Sequence, residues 1–259
     1  MAIPFTKASA CGNDFLIADG AAVSERLAEL TRQLCDRHNG VGADGVEWLF
    51  RTKSADVEAR LVNADGSEAE ISGNGTRCVA AYLCAESRKE SIAIRTGAGV
   101  KTCTLVARSG NSFEFESAMG VPGVGAEFEV KTSFGEVRGV PVSIGNPHFV
   151  IFVADFGEDW QGRAAEIQRD QVFKHGVNVE FVIIRNDGDI DVQFFERGVG
   201  ETQSSGTGSC AAAVAAIATS MAASPLRVHA PGGMQIVRFE KEVFLRGPAQ
   251  LICEGEFFV

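Results

Sequence analysis

The sequence predicts an α+β fold of two pseudosymmetric domains, each an antiparallel-rich sheet or barrel wrapped around a central apolar helix. Three observations lead to this prediction. Short runs of alternating apolar and polar residues outnumber helical patterns, and few strand-helix-strand units occur, which disfavours a doubly wound parallel sheet. In addition, one glycine-containing motif appears twice, each time directly before a strongly apolar helix.

The alternating runs predict strands at the following positions: residues 57–63, 91–95, 113–116, 149–153, 179–184 and 190–195. The clearest amphipathic helix is predicted over residues 24–35. Ser24 is its expected N-cap, and Leu27, Leu30 and Leu34 share one face.

The repeated motif reads SGNG from residue 72 and SGTG from residue 205, and an Ala-rich apolar helix follows each copy. Helices that are apolar all round belong inside a wrapping sheet. Their N-termini present unpaired N–H groups and the positive end of the helix dipole, which suit a carboxylate or a phosphate. One copy alone is readily explained as a turn before a buried helix. Two copies with matching flanks predict an anionic ligand held between the halves.

Composition excludes several classes of function. The formal net charge is -10, and no clustered Lys or Arg run offers a surface for nucleic acid. No apolar span reaches membrane length, and residues 1–15 lack a basic segment followed by an apolar stretch. We therefore expect a cytoplasmic protein whose partners include neither nucleic acid nor membrane.

The seven cysteines and four histidines predict neither a disulfide framework nor a metal site. The cysteines are odd in number and lack CxxC spacing, and no two histidines lie three or four residues apart. Most of the cysteines are expected to be reduced and packed as small hydrophobic residues.

Taken in order, the motifs of this chain resemble those of the diaminopimelate epimerases, cofactor-independent enzymes that invert one α-carbon of a diamino diacid. The matching segments are FTK from residue 5, GNDF from 12, RHNGVGADG from 37, residues 63–78, GNPH from 145, GVNVEF from 176, residues 196–210, PGG from 231 and GPA from 247. The resemblance implies an isomerase that converts LL- to meso-diaminopimelate in lysine and peptidoglycan biosynthesis. It also implies a homodimer without a cofactor.

In that family two cysteines act on opposite faces of the α-carbon, one as thiolate base and the other as thiol acid. Removal of a proton from one face and delivery to the other inverts the centre. This chain carries Ser72 and Ser205 at those positions. A thiol is readily ionised at a helix N-terminus, whereas an aliphatic hydroxyl resists ionisation. The resemblance therefore implies ligand binding with impaired or absent turnover, whether the serines replace parental cysteines or are natural to this chain.

Other side chains bear on proton transfer. Cys78 and Cys210 lie more than a helical turn past the serines and are best explained by core packing. Cys11 precedes the GNDF motif, where the family more often has an apolar residue, and is a candidate reactive thiol. His148 is a candidate base for the serines, and a hydrogen-bonded loop histidine after Pro147 explains it equally well.

The resemblance also implies a substrate-binding set. The residues that would hold the distal amino acid end of the ligand are Asn63, Asn146, Asn178 and Arg197. Glu196 would bind an ammonium group of the ligand. Asn13 would orient the substrate. The N–H groups that would hold the reacting carboxylate belong to Gly73, Asn74, Gly206 and Thr207. Gly45 departs from some family members, which have glutamine there.

Two other functions stay open. One is a related racemase for a substrate with a single amino acid group, such as a basic amino acid. Arg197 and the three asparagines argue against it, because they suit a second amino acid group. The other is a catalytically silent protein that binds a diamino diacid. For the domains we expect residues 1–118 with 252–259 in the first half and residues 119–251 in the second.

Overall fold

The computed structural model describes residues 2–87 and 89–259. The chain divides into two compact units, Met1–Ser117 with Gly247–Val259, and Ala118–Arg246. The chain therefore returns to the first unit at Gly247, whereas we expected the return at residue 252. Among the described residues no helix is both long enough and apolar enough to cross a membrane.

Within its described residues the first unit contains two helices and eight strands, and the last strand of the chain returns to it. The helices are α1 (Leu27–Cys35) and α2 (Gly73–Ser87). The strands are β1 (Ala2–Ala10), β2 (Asn13–Asp19), β3 (Gly45–Phe50), β4 (Val57–Asn63), β5 (Glu68–Ala69), β6 (Ser91–Thr96), β7 (Gly99–Ser109) and β8 (Ser112–Gly120), the last of which runs on past Ser117.

The second unit contains the other two helices, α3 (Trp160–Gln168) and α4 (Gly206–Ala218). Its strands are β9 (Gly123–Val124), β10 (Phe128–Thr132), β11 (Gly135–Ser143), β12 (Pro147–Phe152), β13 (Asn178–Asn186), β14 (Asp189–Glu196), β15 (Gly200–Thr202), β16 (Leu226–Ala230), β17 (Gly233–Phe239) and the start of β18 (Val243–Phe258).

Strand pairing closes the first unit into an eight-stranded barrel. The order is β18, β1, β2, β3, β4, β6, β7 and β8, and β8 pairs in turn with β18. The pairs β2–β3 and β4–β6 are parallel, and the other pairs with a determined register are antiparallel. The second unit has a similar strand order, β9, β11, β12, β13, β14, β16, β17 and β18, in which the pairs β12–β13 and β14–β16 are parallel. The predicted antiparallel-rich α+β fold is confirmed.

A central helix packs against the sheet of each unit. Residues 78–81 of α2 pack against apolar side chains of the surrounding strands, and α4 does the same with residues 210–216, all of them 0% exposed. The small side chains of these helices let the strands wrap closely around them. Cys78 and Cys210 belong to these two cores, as predicted.

Each unit also carries an outer helix in the connection between two parallel strands. α1 lies between β2 and β3, and α3 lies between β12 and β13. α1 begins at Leu27, so the predicted start with a Ser24 cap is wrong. The backbone turns first, because Val23 N–H donates to Gly20 O and Arg26 N–H donates to Val23 O. No side chain caps the helix.

All six predicted strands occur, most of them extended by one or a few residues at an end. The alternating pattern of apolar and polar residues did not predict several elements, including β1, β3, β7 and α3. β3 is buried over most of its length, so its apolar residues do not alternate with exposed polar ones.

Candidate functional site

The start of α2 is capped by the side chain of Ser72. Its Oγ accepts a hydrogen bond from the Gly75 N–H at 3.1 Å, and its carbonyl oxygen accepts from the Thr76 N–H at 2.8 Å. Ser72 is half-buried and Gly73 is exposed. Because Oγ acts as an acceptor toward the helix, the hydroxyl hydrogen remains available to donate. The helix start therefore offers both backbone and side-chain donors.

The start of α4 has the same construction. Ser205 is extended, with φ -137° and ψ 121°, and its Oγ accepts from the Gly208 N–H at 3.2 Å. The Ser209 N–H donates to the Ser205 carbonyl at 2.9 Å. Ser205 is buried, whereas Ser72 is half-buried. The repeated motif of the sequence is thus a repeated N-cap in the structure.

A polar network in the first unit holds Asn13 against α2. Asn74 Nδ2 donates to Asn13 Oδ1 at 2.8 Å, and Asn13 Nδ2 donates to Asp44 Oδ2 at 3.0 Å. Arg37 Nη2 reaches Asp14 Oδ1 and Asp44 Oδ1, both at 2.8 Å. The predicted residues Asn13 and Asn74 are therefore in direct contact.

Asp14 is the centre of the ion pairs in this network. Lys7 Nζ lies 2.9 Å from Asp14 Oδ2, and Arg37 binds the other carboxylate oxygen. Partial burial alone would raise the pKa of the Asp14 carboxyl, but the hydrogen bonds and charges of Arg37 and Lys7 outweigh it and lower that pKa.

Arg77 is a buried cation that the sequence analysis did not single out. It is 3% exposed, and its Nη2 donates to Asn74 Oδ1 at 2.5 Å while its Nε donates to Pro248 O at 3.2 Å. The same Nη2 lies 3.6 Å from the sulfur of Cys11, which is buried with a positive φ of 46°. Cys11 thus faces a guanidinium, and its reactivity stays a prediction. Burial raises the pKa of the Cys78 thiol.

In the second unit the predicted residues Asn146, His148 and Thr207 form one chain of hydrogen bonds. Asn146 Nδ2 donates to Thr207 Oγ1 at 3.4 Å, and Asn146 Oδ1 lies 2.9 Å from His148 Nε2. The other ring nitrogen, Nδ1, lies 2.7 Å from Glu180 Oε1. His148 is 1% exposed and lies in β12, so the alternative of a loop histidine is wrong.

Asn178, Glu196 and Arg197 form a second group in the same unit. Asn178 Oδ1 accepts from the Arg197 N–H at 2.9 Å, and Asn178 Nδ2 donates to Pro147 O at 3.0 Å. The Thr202 hydroxyl donates to Glu196 Oε1 at 2.7 Å. The exposed Arg197 guanidinium donates to His175 O at 2.6 Å through Nη1.

Asn63 stands apart from the other predicted residues of the first unit. Its Nδ2 donates to Ser67 Oγ at 3.0 Å within the turn after β4. Strand register places Asn63 opposite Gly45. In the second unit it places Phe195, the neighbour of Glu196, opposite Val179, the neighbour of Asn178. The two units therefore offer corresponding positions at this point.

Two buried glutamates were missed by the sequence analysis. Glu47 and Glu180 are 3% and 0% exposed, and each carboxylate packs against the second glycine of a helix start. A Cβ at Gly75 would clash with Glu47 Oε1, and a Cβ at Gly208 would lie 2.9 Å from Glu180 Oε1. Burial raises the pKa of Glu47 to about 8. Their signal in the sequence is an acidic residue inside an otherwise apolar strand.

A cavity of about 740 Å³ lies elsewhere in the first unit, lined by Phe5, Phe50, Tyr82 and several carboxylates. None of the predicted binding residues lines it. The helix starts are the candidate site, because their donors and their capping serines are arranged alike in both units. Within residues 2–87 and 89–259, no group of three or more His, Cys, Asp or Glu side chains is placed to hold a metal ion.

Comparison with known proteins shows the family of this chain. The family model described as diaminopimelate epimerase matches residues 5–123 and 140–252. A diaminopimelate epimerase of Halothermothrix orenii is 34% identical, over 100% of this chain and 99% of the relative. This chain belongs to the diaminopimelate epimerase family.

A second relative supports the same family. The diaminopimelate epimerase of Pelotomaculum thermopropionicum is 36% identical, and the alignment covers 98% of each chain. Among solved structures, the Bacillus anthracis phenazine biosynthesis protein of the PhzF family superposes with a TM-score of 0.76. It covers 100% of both chains at 14% identity, so it supports the fold alone. The diaminopimelate epimerase family thus accounts for the whole length of the chain.

Proposed function

We propose that this chain binds diaminopimelate and that its catalytic form interconverts the LL and meso isomers by proton transfer at the α-carbon. The observation that carries the proposal is the repeated helix start, in which Ser72 and Ser205 cap α2 and α4 with the same hydrogen bond. Relatives named diaminopimelate epimerase match the chain over its full length.

The first turns of α2 and α4 bind the carboxylate that is attached to the reacting α-carbon. Backbone N–H groups at Gly73, Asn74, Gly206 and Thr207 lie in the first turns of α2 and α4, where intrahelical acceptors are lacking. The helix dipoles add positive potential there. The same potential stabilises the negative charge that develops when the α C–H bond breaks.

The remaining predicted residues bind the distal end of the ligand. Arg197 suits a carboxylate because its planar guanidinium can donate two parallel hydrogen bonds. Glu196 suits an ammonium group, and the amides of Asn63, Asn146 and Asn178 can accept or donate. Asn13, held by Asp44 and Asn74, orients the substrate.

Serine at positions 72 and 205 impairs the proton transfer. Within residues 2–87 and 89–259 no basic side chain hydrogen-bonds either hydroxyl, and each Oγ accepts from a helix N–H. The helix N-terminus favours an anion, but a hydroxyl lies several pKa units further from ionisation than a thiol. We therefore expect binding of the diamino diacid without measurable turnover.

The experiment is the double variant Ser72→Cys/Ser205→Cys, assayed by exchange of the α-proton of diaminopimelate in heavy water. We expect exchange and epimerisation in the double variant and neither in the parent chain. Each single-cysteine variant serves as a control and should fail to epimerise, because inversion needs an acid and a base. Binding by the double variant without any exchange would exclude the epimerase proposal.

A second candidate is a catalytically silent protein that binds a diamino diacid, and the paired serines favour it. Calorimetry on the parent chain separates it from a racemase for a single-headed amino acid. Binding of diaminopimelate but not of lysine supports the two-headed site. Tighter binding of lysine would instead support the racemase.

We also propose a cytoplasmic homodimer that serves lysine and peptidoglycan biosynthesis. The proposal rests on the family and on the acidic composition without a basic surface run. Sedimentation equilibrium measures the mass directly, and a monomer at micromolar concentration would contradict the dimer.

A further inference from the structure

The pair formed by His148 and Glu180 is the most deeply buried ionisable pair among the described residues. The side chains are 0% and 1% exposed, and Nδ1 lies 2.7 Å from Glu180 Oε1. Glu180 Oε2 is buried and has no hydrogen-bond partner among residues 2–87 and 89–259. The ring is therefore held between a carboxyl group on one side and the Asn146 amide on the other.

The positions of the protons follow from the atoms that face the ring. With Asn146 Nδ2 directed to Thr207 Oγ1, the atom facing Nε2 is the amide oxygen, which only accepts. Nε2 must then carry a hydrogen. At Nδ1 a hydrogen is also needed, either on the ring toward a carboxylate or on Glu180 toward the ring. The pair therefore holds two protons.

Loss of one proton would leave a net negative charge inside the barrel wall. Such a charge is costly without a cation to compensate it. The other charged group that acts on Glu180 is Glu196, which is also acidic and adds repulsion. Burial raises the pKa of Glu180, and the contact with His148 opposes this only in part. The pair is thus built to retain its second proton.

From this geometry we infer that Glu180 is a positioning residue: it keeps the proton on His148 Nε2 and thereby directs the Asn146 NH₂ group toward the start of α4. This inference depends on the proposed function only for the identity of the ligand. With the proton absent from Nε2, the amide would turn, and its oxygen would face Thr207 instead. An NH₂ group attracts a ligand carboxylate, whereas an amide oxygen repels it. Glu180 therefore selects an anionic group at this place without touching the ligand.

The first test is nitrogen NMR of the parent chain labelled with ¹⁵N-histidine. We expect a His148 Nε2 resonance with a directly bonded, slowly exchanging hydrogen at neutral pH. An Nε2 without a hydrogen at neutral pH would overturn the inference. Because this spectrum needs no ligand, it decides the inference even if diaminopimelate does not bind. Absence of binding to the parent would count against the proposed function alone.

The second test compares Glu180→Gln with Glu180→Leu by calorimetric titration with diaminopimelate. A glutamine amide can donate to Nδ1, so Glu180→Gln should keep the Nε2 hydrogen and bind nearly as the parent does. Glu180→Leu should weaken binding by about tenfold or more, as expected for loss of one hydrogen bond to a charged group. Urea unfolding of both variants checks that they fold.

The pH profile separates a positioning role from a packing role. In the parent, affinity should fall as pH rises through the range in which the pair loses its second proton. Glu180→Gln lacks the acidic proton, so the loss of affinity caused by deprotonation of the pair should be absent. Titration of the ligand's own amines affects binding to both chains equally. Identical profiles for the parent and Glu180→Gln would reject the inference.

Discussion

At the scale of single residues, the two helix starts depend on glycines that leave room for a carboxyl group. Gly75 and Gly208 each pack against a glutamate whose burial would be costly in the ionised form. The two units avoid the cost of an ionised buried carboxylate in different ways. Glu180 has His148 as a partner, whereas burial alone raises the pKa of Glu47 to about 8, so that Glu47 stays protonated at neutral pH.

The protonation of Glu47 predicts how stability changes with pH. The unfolded chain loses this proton near the ordinary pKa of about 4.3, and the folded chain keeps it until about pH 8. Between these values the unfolded state binds fewer protons, so the free energy of unfolding falls as pH rises and levels off above pH 8. Glu47→Gln cannot ionise and should gain stability relative to the parent across this window, on the order of a few kcal/mol.

The measurement is urea unfolding of the parent and Glu47→Gln near pH 5 and near pH 9. Glu25→Gln, at an exposed position, is the matched control and should show the same pH dependence as the parent. A constant difference between Glu47→Gln and the parent over this range would show that Glu47 does not titrate in the folded chain as described.

At the scale of elements, the inner and outer helices are held in different ways. α2 and α4 are anchored by small apolar side chains on all sides, whereas α1 packs one face on the barrel. In that outer interface, Trp48 Nε1 donates to Thr31 Oγ1 at 2.9 Å, and both residues are 0% exposed. This bond fixes α1 against β3.

Thr31→Val tests this bond because it keeps the shape of the side chain and removes the acceptor. The indole N–H of Trp48 would then be buried without a partner, which costs about 1–3 kcal/mol. Thr31→Ser keeps the hydroxyl and should lose less. Urea unfolding measures both variants, and equal stability of Thr31→Val and Thr31→Ser would mean that the hydrogen bond does not contribute.

At the scale of the whole molecule, the barrel of the first unit is closed by the two ends of the chain. β1 pairs with the end of β18 so that Ala2 lies opposite Phe258. Barrel closure removes exposed strand edges, which otherwise promote aggregation. The first unit therefore requires a segment that is translated after the whole of the second unit.

Deletion of residues 252–259 should open this barrel, with loss of cooperative unfolding and of soluble yield. The matched control is a circular permutant with a short linker from Val259 to Ala2 and new ends between Glu240 and Lys241, in the exposed hairpin after β17. It keeps the β1–β18 pairing and should fold. Differential scanning calorimetry compares the chains. A cooperative transition in the deletion variant equal to that of the parent would contradict the role of β18.

The sequence determined those features that depend on neighbours along the chain. The alternation of side chains specified six of the strands, the repeated motif specified two apolar helices with capping serines, and the order of motifs specified the family. The misplaced start of α1 shows the limit even for local signals, because Ser24 lies in a turn that precedes the helix.

Tertiary structure alone decided which distant side chains meet at the helix starts. His148 and Glu180 are 32 residues apart, and Arg77 and Pro248 are 171 apart. Such contacts depend on how distant segments pack and on strand register, which the alternation of side chains within one strand does not specify. The capping serines directly precede their helices and are therefore visible in the sequence. The buried carboxyl groups of Glu47 and Glu180 come from distant strands, so their position at the helix starts became apparent only in the folded chain.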